Sequence, residues 1–510
     1  MRLNIIIGGK AGQGINKVSG IISKTLLDYG YFVFNYRDYP SIIRGGHNFN
    51  LLSISDIPIE SHESKMDGIV ALDSDTISIH KSELKKDGFI LDFKDFTSFG
   101  INMNIALSGA FMKILGIEKN FLLEQVKNSL GKKDSYEQAL QAAEKGYSSR
   151  EKRFSFKQLN NKASILNGNK AAAIGAINSK LDIYFGYPMT PATNIIQELA
   201  EKQIEKGHLV FQPEGEIAVA NMALGASFAG AKVMIGSSGG GFDLMTEALS
   251  CQGMSEIPLT VYLASRGGPG TGLPTYTMQG DLDLALRSGH GEFPRVVIAP
   301  GNPKETIEKV NEAIYLSQKY NLLTIVLTDK HLAECEFSSF EKINTPLKIQ
   351  VNREVPGDKG TVKASSYEHD ENCKTTEDAS IAFKNTNKRL AKYSKVKEEC
   401  KKYEMIKIHG KKNSKNLIIG WGSTRGAILD AIKGLDFKFL QVLYLKPLSD
   451  EIKKEILKAR KVIIIEQNVT GQLGRLIREK TGIKIEKRIL KYDGRPFTSD
   501  ELKKEILKLR

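Results

Sequence analysis

One stretch, from Tyr184 to Leu286, constrains this 510-residue chain more than any other. The strand-like run LDIYFGY leads into Tyr187-Pro188-Met189-Thr190-Pro191, AKVMIGSS into Ser237-Ser238-Gly239-Gly240-Gly241, and LTVYLAS into a Gly/Pro-rich loop that opens at Arg266. Between the first two, Glu214-Gly215-Glu216 opens an alanine-rich helix. Apolar strands that each end in a cluster of special residues are the pattern of a parallel α/β sheet. In such a sheet the clusters meet at one rim, where ligands bind.

The same alternation recurs on both sides. Residues 1 to about 155 read as an α/β domain: a strand at Leu3–Ile7, a glycine turn Gly8-Gly9-Lys10-Ala11-Gly12-Gln13-Gly14, a helix from Ile15 to Tyr29, and an alternating strand from Asn48 to Ile54. The turn is not spaced as G-x-G-x-x-G, and the next strand, read as Tyr31–Asn35, does not end on an acid, so close backbone packing is favoured over a dinucleotide site. Arg44, followed by two glycines, suits an anion or a neighbouring domain, and His47 reads as a structural histidine. A helix is expected over Ser135–Lys145. A second domain, 163–345, opens on a small-residue helix and contains buried strands at Val296–Ala299 and Leu322–Leu327. Residues 346–414 turn polar and lysine-rich and read as a linker or exposed extension. A third α/β unit, 415–510, contains LIIGWGS, FLQVLYL and KVIIIEQ as strands.

Composition narrows the function. Lys and Arg number 73 against 59 Asp and Glu, a net charge of +14, but the excess is dispersed without interleaved aromatics, so a solvated surface is expected rather than a nucleic-acid site. An acidic redox protein remains open as a partner. No apolar run reaches the length of a membrane span or signal peptide, which places the expected location in the cytoplasm and predicts no membrane partner. Cys251, Cys335, Cys373 and Cys400 have no regular spacing, so no metal site or cluster is expected on this chain.

Candidate chemistry gathers in the central stretch. Pro188 and Pro191 stiffen the backbone around Thr190; the segment either presents Thr190 to a ligand or starts a helix with Thr190 or Thr193 as cap. Glu214 and Glu216 suit the helix dipole, and a carboxylate at the mouth of a slender apolar helix is also partly desolvated, as general acid–base work requires. The triplet Gly239–Gly241 permits close approach of a ligand or forms a plain tight turn. Arg266 in a rigid loop suits a carboxylate or a structural ion pair, with Thr271 and Thr275 as extra hydroxyls or caps. His290 reads as structural.

Together these segments resemble the α subunit of the 2-oxoacid:ferredoxin oxidoreductases, of the 2-oxoglutarate synthase type, with the γ domain fused in front. YPMTP resembles the family's YPITP, FQPEGEIAVANMALGASFAGAKVM its E-D-E-I-A-A helix, SSGGGFDLMTEAL its T-S-G-P-G-F turn, and RGGPGTGLPT its R-G-G-P-S-T-G-L-P-T; GGKAGQGI and IIRGGHN resemble the γ domain.

The resemblance implies three α/β domains. A γ-type domain comes first, a doubly wound parallel sheet of the pyrimidine type binds thiamine diphosphate, and a transketolase-C-like domain ends the chain. It implies thiamine diphosphate with Mg shared with a β subunit, which also carries a [4Fe-4S] cluster. Oxidative decarboxylation would pass electrons to ferredoxin and the acyl group to coenzyme A, in an αβ or (αβ)2 assembly. The 2-oxoacid is expected to be 2-oxoglutarate, with pyruvate or broad specificity the alternative. Carried over by position, Glu216 would bond N1′ of the aminopyrimidine, with Glu214 as fallback. Tyr187, Pro188 and Gly239–Gly241 would border the cofactor, and Thr190, Arg266, Thr271 and Thr275 the substrate. Gly240 replaces the family's proline and Gly270 its serine, which bears on substrate preference. From another class, a catalytically silent assembly subunit would keep the same fold.

Overall fold

The computed structural model describes all residues except 43–44, 131–135, 340–341, 352, 364 and 510; Arg44 and Ser135 therefore lie outside the described residues. The chain divides into two compact units.

The first unit comprises Met1–Leu166, Cys335–Glu341 and Phe497–Lys504. Its seven-stranded mixed sheet runs in the order Leu84–Asp92, Met66–Ala71, Arg2–Lys10, His47–Ser55, Phe32–Asp38, Glu336–Ser339, Ser164–Leu166. Ile5, Ile6 and Ile7 are fully buried, as continuous apolar runs in a strand covered on both faces should be. Gly14, at φ +80°, turns the chain into the helix Ile15–Asp28. A Cβ at Gly9 would stand 2.5 Å from Gln13 Oε1, so this glycine serves close packing within the loop. His47 Nε2 lies 2.8 Å from His80 Nε2.

The second unit holds the central stretch. Its seven-stranded sheet runs Tyr444–Lys446, Arg295–Ile298, Leu323–Asp329, Leu259–Ser265, Val233–Ser237, Ile183–Gly186, Leu209–Phe211. Every pairing is parallel except that of the first strand, at the edge. Leu259–Ser265 and Leu323–Asp329 are buried along their whole lengths, with separate apolar clusters on the two faces. From Ile183–Gly186 the chain moves outward to Leu209–Phe211, then crosses back to Val233–Ser237 on the other side. The order reverses between Ile183–Gly186 and Val233–Ser237, and in sheets of this kind ligands bind beyond the carboxyl ends at such a point. The family resemblance implied this doubly wound parallel architecture.

A five-stranded sheet, in the order Ile406–Gly410, Lys438–Val442, Asn416–Trp421, Lys461–Glu466, Lys487–Leu490, belongs to the same unit and shares its main apolar cluster. Two features depart from the sequence reading. FLQVLYL is not one strand: it divides at Leu443, Lys438–Val442 staying in the five-stranded sheet and Tyr444–Lys446 pairing with Arg295–Ile298 in the seven-stranded one. The polar stretch read as a linker contains the helix Ala379–Cys400. Val396 and Cys400 bury one side of it in an apolar cluster, and polar contacts add to that: Asp378 caps it by accepting from Ile381 N at 2.9 Å, Lys388 pairs with Glu256 at 2.6 Å, and Glu399 accepts from Tyr320 Oη at 3.2 Å. No described helix is long and apolar enough to cross a membrane.

Candidate active site

Because the six strands are parallel, their carboxyl ends bring Tyr187–Pro191, Ser238–Gly241 and Arg266 to one rim. The Tyr187–Pro191 segment is gripped at two successive carbonyls. Arg266 Nη1 donates to Thr190 O at 3.0 Å, and Asn169 Nδ2 donates to Pro191 O at 2.8 Å. Tyr262 Oη in turn donates to Asn169 Oδ1 at 3.2 Å, so the sheet interior fixes the loop. Thr193 occupies the N-cap position of the helix Asn194–Ala200, but its side chain makes no capping bond. Ser237 Oγ reaches Met189 Sδ at 3.8 Å, linking the first cluster to the second.

The glycine triplet opens the helix Gly239–Leu244 instead of forming a plain turn. Two of its members make room for acids. A Cβ at Gly241 would stand 2.6 Å from Glu216 Oε1 and 2.7 Å from its Cγ, and a Cβ at Gly239 would stand 2.6 Å from Asp281 Oδ2. Gly240 faces open space.

Of the two candidate acids, Glu214 is exposed and Glu216 is only 6 % exposed. Glu214 is engaged by Tyr187, whose phenol is raised above its ordinary value by the hydrogen bond to Glu214 and by the charges of Glu214 and Glu216. Glu216 starts the helix Glu216–Phe228 after Gly215, and its Oε1 is buried with no hydrogen-bond partner. A buried acceptor without a donor is costly, on the order of 1–3 kcal/mol, and calls for a donor from outside the chain. Ser238 Oγ and Thr275 Oγ1, bordering the same strand ends, are buried and unpartnered as well, and Ser265 Oγ and Asp281 Oδ2 lie near each other without completing a well-formed hydrogen bond.

Arg266 brings a cation to the rim. Burial lowers its guanidinium from its ordinary value, while the charges of Asp281 and Glu216 oppose that fall. Thr275 is buried, whereas Thr271 sits in the exposed part of the loop that the Gly267–Leu273 bridge closes. Gly270, at φ +61°, adopts a backbone conformation that favours glycine. His290 is exposed, and its backbone N–H donates to Ser250 Oγ at 2.8 Å.

Residues 174–405 match the family model for the thiamine-diphosphate-binding domain of pyruvate flavodoxin/ferredoxin oxidoreductases, and residues 4–96 match that for pyruvate ferredoxin/flavodoxin oxidoreductases. The 2-oxoglutarate synthase subunit KorA of Archaeoglobus fulgidus is 30 % identical over 61 % of this chain and 89 % of its own length. The chain belongs to the 2-oxoacid:ferredoxin oxidoreductase family. The α subunit of a 2-oxoacid:ferredoxin oxidoreductase from Sulfolobus sp is 29 % identical, over 100 % of this chain and 97 % of that one. The 2-oxoglutarate:ferredoxin oxidoreductase of Magnetococcus marinus, solved with 2-oxoglutarate, coenzyme A and succinyl-CoA bound, superimposes with a TM-score of 0.90 at 26 % identity, covering 99 % of each chain.

Within this oxidoreductase fold the sequence reading missed Asn169 and Asp281. Asn169 lies in the first turn of a helix, where a polar residue attracts no notice. Asp281 immediately precedes the helix Leu282–Arg287 and so looks like an ordinary cap.

Proposed function

We propose that this chain is the γα-fused subunit of a thiamine-diphosphate-dependent 2-oxoacid:ferredoxin oxidoreductase that converts 2-oxoglutarate and coenzyme A to succinyl-CoA and CO2. The observation that carries the reading is the unpartnered, buried Glu216 Oε1 beside Gly241, at the point where the strand order reverses. An aminopyrimidine fits there: it brings a nitrogen to an acceptor that lacks a donor, and the missing side chain at Gly241 leaves the carboxylate in place.

Bound thiamine diphosphate supplies the carbon nucleophile that no side chain here provides. Glu216 accepts the hydrogen bond at the ring nitrogen and holds a proton there. Tyr187, Pro188 and Gly239–Gly241 border the ring. Arg266, already aimed by its bond to Thr190 O, keeps further N–H groups for the substrate's carboxylate, and Thr190 and Thr275 present hydroxyls beside it. Thr271, on the exposed arm of the loop, reaches the substrate only as that loop folds inward. A β subunit contributes the Mg-diphosphate site and the [4Fe-4S] cluster that passes electrons to ferredoxin, in an αβ or (αβ)2 complex in the cytoplasm. On this reading residues 1–155 are the γ domain, 163–345 the pyrimidine domain and 415–510 the transketolase-C-like domain, joined by 346–414. The choice of 2-oxoglutarate rests on the named activity of the KorA relative and on the ligands of the Magnetococcus structure.

The test is anaerobic, 2-oxoglutarate-dependent ferredoxin reduction by the complex reconstituted with its β subunit. Glu216→Gln is expected to lower turnover on the order of 100-fold or more. Unchanged turnover would make the chain a silent assembly subunit.

A further inference from the structure

Asp281 stands at the N-cap of the helix Leu282–Arg287, yet its side chain makes no capping bond. An aspartate in that place ordinarily accepts from the first-turn amides. Here Gln472 does so instead, taking Leu282 N on its Oε1 at 3.0 Å while its Nε2 donates to Gly280 O at 2.7 Å. Gln279, two residues earlier, is clamped as well: its Nε2 donates to Trp421 O at 2.8 Å, and its Oε1 accepts from Gln467 N at 2.9 Å. The backbone on either side of Asp281 is thus fixed by groups of the five-stranded sheet and the helix beside it, and the carboxylate is not used as a cap.

That carboxylate lies against Gly239, where a Cβ would come within 2.6 Å of Oδ2 and 2.8 Å of Oδ1. Oδ2 is buried; the Ser265 hydroxyl lies close enough to favour its charge but completes no well-formed hydrogen bond to it. Asp281 and Glu216 both act electrostatically on Arg266, but neither forms an ion pair with it within bonding distance among the described residues. Two acids therefore share one guanidinium in a pocket that has to admit an anion.

We propose that Asp281 sets the charge of the substrate pocket: ionised, it offsets Arg266, and it takes up one proton from solvent when the carboxylate of the 2-oxoacid docks on that guanidinium. The proposal rests on the assignment of Arg266 as the carboxylate site. Electrostatics agree with it. Burial raises Asp281 above its ordinary value of 3.8; the Ser265 hydroxyl and the Arg266 charge oppose the rise, and Asp243, from the helix Gly239–Leu244, adds to it. A second anion brought to Arg266 raises it further, as a like charge near a carboxyl does.

Calorimetry on the reconstituted complex tests this without turnover. 2-Hydroxyglutarate, an analogue that cannot be decarboxylated as a 2-oxoacid, is titrated at constant pH in two buffers of different ionisation enthalpy. The wild-type complex is expected to take up a substantial fraction of one proton per site, and Asp281→Asn none, with the analogue binding Asp281→Asn about tenfold more tightly at the alkaline end of the range. In turnover, KM for 2-oxoglutarate falls for Asp281→Asn without a matching gain in kcat, whereas a merely structural lesion loosens binding. Asp281→Glu is expected to restore proton uptake. Should Asp281→Asn fail to assemble, the wild-type measurement still decides, since no proton uptake overturns the proposal. Arg266→Gln separates the two readings. If it leaves analogue affinity unchanged, the carboxylate assignment falls; if it weakens affinity while Asp281→Asn fails to tighten it, the role of Asp281 alone falls.

Discussion

Replacing Gly241 by alanine isolates the contact on which the site depends. The new Cβ would stand 2.6 Å from Glu216 Oε1 and 2.7 Å from its Cγ, and closer still to Ser237 Oγ, where about 3.4 Å or more is ordinary contact. Overpacking of this kind costs roughly 1–3 kcal/mol. Position 241 lies inside the helix Gly239–Leu244 at negative φ, so alanine also gains about 1 kcal/mol of helix propensity. The two effects nearly cancel in stability, leaving a net loss of about 0–2 kcal/mol. They do not cancel in function, because the clash is relieved by pushing the Glu216 carboxylate aside. Losing a hydrogen bond to a charged acceptor is worth about 1.5–3 kcal/mol, or about 10- to 150-fold in affinity. The assay is thiamine diphosphate titration of the cofactor-free complex, alongside thermal unfolding of the chain. Gly240→Ala serves as the stability control: with nothing within 4 Å of its Cβ, it is expected to raise the melting temperature by ~1–3 °C. Cofactor affinity within twofold of wild type in Gly241→Ala would refute the argument that this glycine keeps Glu216 in place.

Two further outcomes concern stability. Glu466 is fully buried and accepts from Trp421 Nε1 at 3.3 Å, Asn468 Nδ2 at 2.9 Å, Leu473 N at 2.8 Å and Gly474 N at 3.0 Å, so Glu466→Ala strands several donors and is expected to cost about 3 kcal/mol or more in chemical denaturation. His409 is lowered from 6.5 to about 4, first by burial and then by the Arg425 charge, so the unfolded chain binds the extra proton between those two values. Its contribution is complete above pH 6.5 and is lost as pH falls toward 4, on the order of 2–3 kcal/mol; His409→Gln should flatten that part of the melting-temperature profile.

How legible the molecule was depended on where the physical signal lies. Leu259–Ser265 and Leu323–Asp329 are buried from end to end, and a strand covered on both faces is written as an unbroken apolar run. Proline spacing in Tyr187–Pro191 and the alanine-lined helix behind Glu216 were local and visible in the same way. The division of FLQVLYL at Leu443 was not, because both halves are apolar and only tertiary pairing assigns them to different sheets. Helix Ala379–Cys400 is apolar toward the core at only a few positions, Val396 and Cys400 among them, and its ion pairs reach residues far away in sequence, so local pattern reads it as a linker. Asp281 was hidden by a more ordinary explanation, helix capping, which the structure shows Gln472 performing from 190 residues away in the chain.

The central claim is that the buried Glu216 carboxylate waits for a ring nitrogen. Structure determination of the assembled complex with thiamine diphosphate bound measures this directly. The account predicts Glu216 Oε1 at hydrogen-bonding distance, about 2.6–3.2 Å, from a nitrogen of the aminopyrimidine, with the ring passing over Gly241. A Glu216 carboxylate turned to solvent, or bonded to another group of the protein while the ring sits elsewhere, would contradict it.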